Sequence, residues 1–189
     1  MDFNPNDFTS IARTFRRREM SLQDGLIWLI ESHPQPNFLC FVEVGVYNGQ
    51  TPRRLLETFP SLYYIGVDHW LPFEEGPGDR TTFHARASAY DAIAPYPTRA
   101  RLWEGSSPLV AQNFPKGTMD AIFIDAAHSY GPVITDLASW YPALREGGLF
   151  IFHDYGYQSG VKRAVDEFLG KEPEYIGGNA DLGWVVKGA

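Results

Sequence analysis

Short runs rich in β-branched and aromatic residues alternate along this chain with segments of helical spacing. Residues 39–46, 62–68, 100–104, 119–125 and 148–153 read as strands one to five, with helices expected in the gaps. Such alternation predicts a parallel sheet with helical crossovers. A first helix is expected over residues 21–32, capped by Ser21 and ending before Pro34. Thr51-Pro52 and Ser107-Pro108 each put a capping hydroxyl before a proline at the first helical position, and Gly147-Gly148 is expected to stop the helix ahead of strand five. After a helix over 160–169, the tail PEYIGGNADLGWVVK reads as two strands joined by a Gly/Asn/Asp turn, an antiparallel pair at the sheet edge. LPFEEGPGDR, residues 71–80, follows a strand directly, so it is expected to be a loop over the site rather than a domain boundary.

Composition narrows the class. A chain of 189 residues, 44% hydrophobic, suits one domain, with an N-terminal helical segment (1–36) and a core over 38–189. The formal net charge of -7 argues against a nucleic-acid partner, whose phosphates call for a basic face. Neither a signal segment nor an uncharged run of about 20 residues is present to suggest membrane insertion. The expectation is a soluble, unprocessed, cytoplasmic protein. Cys40 is the only cysteine; in FLCFV it reads as a buried thiol serving as a small apolar residue. The basic run Arg13, Arg16, Arg17 and Arg18 reads as a solvated helix face, although it could attract an anionic substrate or a second subunit, and a homodimer is left open.

The stretch FVEVGVYNGQT, residues 41–51, places Glu43 inside a run otherwise suited to burial and then breaks into a turn with two glycines. A strand that ends in a glycine turn and feeds a helix presents unpaired backbone N–H groups to an anionic ligand group. The turn lacks the middle glycine of a dinucleotide fingerprint and the Lys-Ser/Thr pair of a P-loop. Glu43 would repel phosphate but could hold an ammonium or order the glycine loop, so the implied ligand carries both signs of charge. Asp68, Asp125 and Asp154 all fall at the C-terminal ends of predicted strands, the edge where open α/β sheets bind ligands. Any one of these acids, Glu43 included, could instead be a structural carboxylate.

FVEVGVYNGQT resembles the first motif of class I S-adenosylmethionine-dependent methyltransferases, and its E-x-G-x-Y-x-G order is similar to that of the catechol O-methyltransferase-like group. IGVDHW, EGSS at 104–107, MDAIFIDAAHSY and REGGLFIFHDY resemble the later motifs, and IDAAHSY, HDY and GVKRAVDEFL look like the small sugar and antibiotic tailoring methyltransferases. The resemblance spans about residues 38–169. It implies a Rossmann-like α/β fold, a seven-stranded and mostly parallel sheet with an antiparallel edge hairpin, and transfer of the cofactor's methyl group to a small-molecule hydroxyl. By resemblance, Glu43, Gly45, Tyr47, Gly49 and Thr51 shape the methionine pocket, Asp68 binds the ribose, Ser106 and Ser107 flank adenine, and His69 and Asp125 adjoin the cofactor.

The catechol enzymes hold a magnesium ion between the ends of strands four and five. Here Asp125, His153 and Asp154 are the metal candidates, and a histidine in the set suits manganese, iron or zinc as well as magnesium. Alternation along a strand would send His153 and Asp154 to opposite faces unless the strand has already ended. His128 lies where the resemblance puts the catalytic lysine of the catechol enzymes, and its near-neutral pKa suits removal of a hydroxyl proton. It is the expected base beside Asp125, with a helix-capping role as the alternative. Related sugar enzymes carry an acid two residues after the metal Asp, where this chain has Ala127. Tyr130 and His69 are placed at the mouth of the site. A nucleotide-dependent oxidoreductase and a non-catalytic protein of the same fold are the rival classes.

Overall fold

The computed structural model describes residues 20–33, 39–71 and 81–189. The arginine run, and all but the first residue of the loop expected over the site, lie outside the described residues. The order of elements is α1 (Leu22–Ser32), β1 (Leu39–Val44), α2 (Gln50–Thr58), β2 (Leu62–Asp68), α3 (Thr81–Ile93), β3 (Ala100–Glu104), α4 (Ser107–Ala111), β4 (Met119–Ile124), α5 (Tyr130–Trp140), β5 (Leu144–Phe152), α6 (Ser159–Leu169), β6 (Glu174–Ile176) and β7 (Leu182–Val186). No helix among the described residues is long and apolar enough to cross a membrane.

The strands form a seven-stranded sheet in the order β3-β2-β1-β4-β5-β7-β6. From β3 to β5 the neighbours are parallel, and β7 and β6 add the expected antiparallel edge. The chain steps outward from β1 to β3 and then returns to lay β4 against the other side of β1. Crossovers therefore leave in opposite directions from these two strands, which opens a crevice at their C-terminal ends.

Two apolar layers cover the sheet, divided by the alternation of side chains along each strand. Val42, Ile122, Phe150 and Phe152 pack with Leu137 and Trp140 of α5 and Val161 and Val165 of α6. Phe41, Phe123, Leu149 and Ile151 face the other way, onto Leu26 and Leu29 of α1 and Leu55 and Leu56 of α2. Burial on both faces explains why the central strands read as continuous apolar runs. Cys40 is half-buried rather than buried, with its amide donating to Asp120 Oδ2 (2.7 Å).

Several local signals are used differently from the way the sequence suggests. Ser21 does cap α1, accepting from Asp24 N at 3.1 Å. Gly147 and Gly148, however, do not end a helix; they lie inside β5, which starts at Leu144. Helix α5 stops at Trp140 and passes through a short 3₁₀ turn, Tyr141–Ala143. Gly147, at φ 71°, sits where the pairing of β4 with β5 shifts register, and it donates to Lys187 O (2.9 Å). The glycine pair thus serves a bulge. Thr51 does not cap α2, because Gly49 takes that position in a left-handed conformation. Ser107 is the first residue of α4, and its hydroxyl accepts from Trp140 Nε1 (2.8 Å) instead of capping. Strands β1 and β4 end at Val44 and Ile124, short of their expected limits.

Glu43 owes its place in the apolar run to a neighbouring strand. It lies opposite Gly66 in the register, and the Tyr64 hydroxyl donates to its carboxylate. A Cβ on Gly66 would come within 2.9 Å of that hydroxyl oxygen and 2.6 Å of Leu102, so the glycine supplies the space. The Thr51 hydroxyl is a second donor. Burial holds the Glu43 carboxyl well above the usual carboxylate range, against the pull of these two hydrogen bonds, and the charges of Asp125 and Asp68 push it further up.

The folded chain therefore keeps a proton on Glu43 that the unfolded chain releases near its ordinary pKa of about 4.3. That contribution to stability is complete below about pH 4 and is lost as pH rises toward the folded-state pKa. Glu43→Gln has no such proton to lose. Its melting temperature relative to wild type is expected to rise by several degrees between about pH 4 and pH 8. Parallel melting curves for the two proteins across that range would refute the assignment.

Candidate functional site

The turn after β1 passes closer to the end of β4 than a side chain would allow. Gly45 has φ 91°, and a Cβ there would lie 2.1 Å from the Asp125 carbonyl oxygen. Gly45 N donates to Val67 O and Asp125 N to Val44 O, each at 2.8 Å, so the ends of β2, β1 and β4 are joined in a row. Asp68, the last residue of β2, fixes the loops on either side. Its Oδ2 accepts from Val46 N (3.0 Å) and Tyr47 N (2.9 Å), and its Oδ1 accepts from Trp70 N (2.8 Å). Trp70 Nε1 closes the circuit by donating to Tyr47 O (2.8 Å).

Above this row lies a cavity of about 530 Å³, a size suited to a nucleoside-bearing cofactor. Gly45, Tyr47, Asp68, His69, Ser106, Ser107 and Asp125 line it. Three residues expected at the methionine end do not: Glu43, Gly49 and Thr51 stand behind the glycine turn, with Glu43 and Thr51 buried against each other. They support the turn from below.

Asp136 is a cavity residue that the sequence reading missed. Helix α5 buries Val133, Asp136, Leu137 and Trp140, positions i, i+3, i+4 and i+7 of one stripe, and Asp136 is the carboxylate in it. A charged residue on an otherwise apolar stripe was the available signal. Burial raises its pKa, partly countered by a hydrogen bond from the Ser107 hydroxyl and by the nearby charge of His69.

On the β4–β5 side, Asp125, His153, Asp154 and His128 form one cluster. His153 Nδ1 lies 2.8 Å from Asp125 Oδ1 and 3.4 Å from Asp154 Oδ2, while His128 Nε2 lies 2.8 Å from the same Asp154 oxygen. Alternation does not separate His153 from Asp154, because β5 ends at Phe152 and Asp154 adopts a left-handed backbone, φ 58°. The loop beyond is clamped by Asp181 from the β6–β7 turn. Its carboxylate accepts from Gly156 N (2.8 Å), Tyr157 N (3.2 Å) and the Tyr175 hydroxyl (2.6 Å).

Electrostatics couple the four groups. Burial raises the Asp125 pKa against the hydrogen bond from His153, whereas the hydrogen bond from His128 holds Asp154 below the usual carboxylate range. His128 is raised, chiefly by that same bond. For His153 burial opposes the charge, but Asp125, Asp154 and Asp181 outweigh it, and its pKa also rises. One donor atom each from Asp125, His153 and Asp154 all fall within 4.8 Å of one another, and this mixed oxygen and imidazole set fits a single small divalent cation. His128 faces Asp154 rather than the large cavity. Tyr130 does not reach the cavity mouth; its ring lies under the Arg163 guanidinium, 4.5 Å away.

Among the described residues, those other than glycine with positive φ are Tyr47, Trp70, Asp154 and Asp181. Two line the cavity, one carries a carboxylate of the cluster, and the last holds the loop beside it. Such conformations are costly and persist where the surrounding contacts enforce them, commonly at functional sites.

Comparison with known proteins gives a consistent result. Residues 42–155 match the family described as Methyltransferase domain. An uncharacterized protein of Acanthamoeba polyphaga mimivirus is 28% identical over 120 residues, which is 62% of this chain; the chain spans about half the length of that curated relative, 52%. Two solved structures of CalS11, described as a calicheamicin methyltransferase and a TDP-rhamnose 3'-O-methyltransferase, align over 100% of this chain and 88% and 89% of theirs, with TM-scores of 0.65 and 0.63 and 16% identity. The O-methyltransferase NovP aligns over 94% of this chain and 80% of its own, with TM-score 0.59 and 22% identity. At these identities the structures establish the fold, the Rossmann-like sheet with an antiparallel edge expected from the sequence.

Because Asp68 accepts from the amides of three residues in two loops, Asp68→Ala is expected to destabilise the ligand-free protein by at least about 2 kcal/mol, or about 4–8 °C in melting temperature. Thermal denaturation followed by circular dichroism measures this. An unchanged melting temperature would show that the loops hold without the carboxylate.

Proposed function

We propose that this chain, which belongs to the methyltransferase-domain family, transfers the activated methyl group of S-adenosylmethionine to a hydroxyl oxygen of a small molecule. The observation that carries this reading is the cavity at the β1–β4 crevice, whose Asp125 wall is shared with a cluster able to take a proton or hold a cation. The names of CalS11 and NovP, both O-methyltransferases, favour oxygen as the acceptor.

In this reading the glycine turn from Gly45 receives the methionine end of the cofactor. Glu43, Gly49 and Thr51 act by holding that turn, since they lie behind it. Asp68 receives a ribose hydroxyl; a carboxylate has about four acceptor sites, so its three backbone donors leave one. Ser106 and Ser107 belong to the adenine end. The chain contributes mainly alignment of nucleophile, methyl carbon and leaving sulfur.

His128 is the proposed base. When its Nε2–H is donated to Asp154, the free lone pair is on Nδ1, and that is the atom that takes the hydroxyl proton. Asp125, His153 and Asp154 would hold a divalent cation, which when bound lowers the pKa of a coordinated hydroxyl. A second reading needs no metal. The His128–Asp154 pair, at 2.8 Å, already has the form of a base oriented by a carboxylate, and it favours His128 acting with Asp154 alone.

Calorimetry with S-adenosylmethionine tests the cofactor assignment. Wild type is expected to bind, and Asp68→Ala to bind about tenfold more weakly or worse. Equal affinities would remove Asp68 from the ribose site.

The acceptor side is tested by activity on a panel of small hydroxyl compounds. His128→Ala is expected to lower turnover by about 10²–10⁴-fold while leaving cofactor affinity nearly unchanged. EDTA followed by metal add-back separates the two readings: activity that disappears and returns supports the cation, and full activity after exhaustive chelation leaves His128 and Asp154 acting alone.

A further inference from the structure

We infer that Asp136 reads the exocyclic amino group of the cofactor's adenine, so that the cavity selects a 6-aminopurine over a 6-oxopurine. The inference rests on the cofactor reading above and concerns a residue that neither the sequence motifs nor that reading uses.

Asp136 is 6% exposed, yet it forms part of the cavity wall. The donor beside it is the Ser107 hydroxyl, and the charge of His69 also bears on it. That hydroxyl is already committed. Its one hydrogen goes to Asp136, and its oxygen accepts from Trp140 Nε1 at 2.8 Å. Ser107 therefore has no hydrogen to offer a ligand, and the chain Trp140–Ser107–Asp136 holds the carboxylate in place. A buried carboxylate with one neutral donor and the nearby charge of His69 is incompletely compensated for its lost hydration. Acceptor sites remain on it, beside a cavity whose walls include Val44, Val67 and Pro132. A ligand that brings an N–H to this point would supply the missing donor.

The donors of S-adenosylmethionine are its ammonium group, the ribose hydroxyls and the adenine amine. The ammonium lies at the Gly45 turn and the ribose at Asp68 in the reading above. Asp136 lies beside Ser107, the first residue of α4 and part of the adenine end in the reading above, where the amine is the hydrogen-bond donor that adenine offers. A 6-oxopurine would instead turn a carbonyl oxygen toward the carboxylate, replacing a hydrogen bond with repulsion.

The test compares S-adenosylhomocysteine with S-inosylhomocysteine, which differ at that position of the purine and in the attendant ring proton, by calorimetry on the intact chain. Wild type is expected to favour the amino form by about 30-fold or more. Asp136→Asn, whose carboxamide can donate to a 6-oxo group, is expected to bring the ratio to about threefold or below. Asp136→Ser serves the same purpose if the asparagine variant does not fold. A wild-type ratio within about threefold of unity, or a folded variant that keeps the wild-type ratio, overturns the inference. Failure of wild type to bind either compound overturns the cofactor reading itself, and the role of Asp136 falls with it.

Discussion

The contact between the glycine turn of β1 and the end of β4 is the constraint on which the rest of the site depends. Gly45 faces the Asp125 carbonyl at a separation that no side chain could share, and this contact lies where the crossovers diverge from the sheet. A parallel sheet presents its loops along one edge, and the switch in strand order keeps two of those loops from covering each other. The cavity is the space left between them. Asp125 gains its double position from the same contact, forming part of the cavity wall on one side and meeting His153 on the other.

Five carboxylates gather around that edge, and the fold compensates each in a different way. Tyr64 and Thr51 donate to Glu43, and burial keeps its pKa high. Asp68 is held by backbone amides, Asp125 by His153, Asp154 by His128 and Asp136 by Ser107. Burial favours the neutral acid, whereas hydrogen bonds and nearby cations favour the carboxylate. The balance falls in opposite directions within one cluster, where Asp125 is raised and Asp154 is lowered. Such a divergence gives neighbouring acids different tendencies to hold a proton or a cation.

Much of the scaffold was legible because its signals are local. The boundaries of β2 and β3 and the presence of the edge hairpin follow from runs bounded by turn residues, and α1 begins where its capping serine predicts. The misreadings share a cause. Thr51, Ser107 and Gly147-Gly148 carry residue types that suit helix ends, but Gly49 takes the cap that Thr51 suits, and the partners that claim the others are distant in sequence: Trp140 for Ser107 and Lys187 for Gly147. A hydroxyl or a glycine is compatible with several local structures, and long-range contacts choose among them.

By itself the sequence determined the order of strands and helices and the presence of acids at the strand ends, because side-chain alternation and turn chemistry act over a few residues. Tertiary structure decided which acids face the cavity. It put Glu43 behind the glycine turn, brought Asp136 into the wall, and paired His128 with Asp154. It also joined His153 to Asp154 on one side by ending β5 at Phe152 and turning Asp154 into a left-handed conformation. These outcomes depend on where separate elements meet in space, and no pattern of period two or 3.6 carries that information.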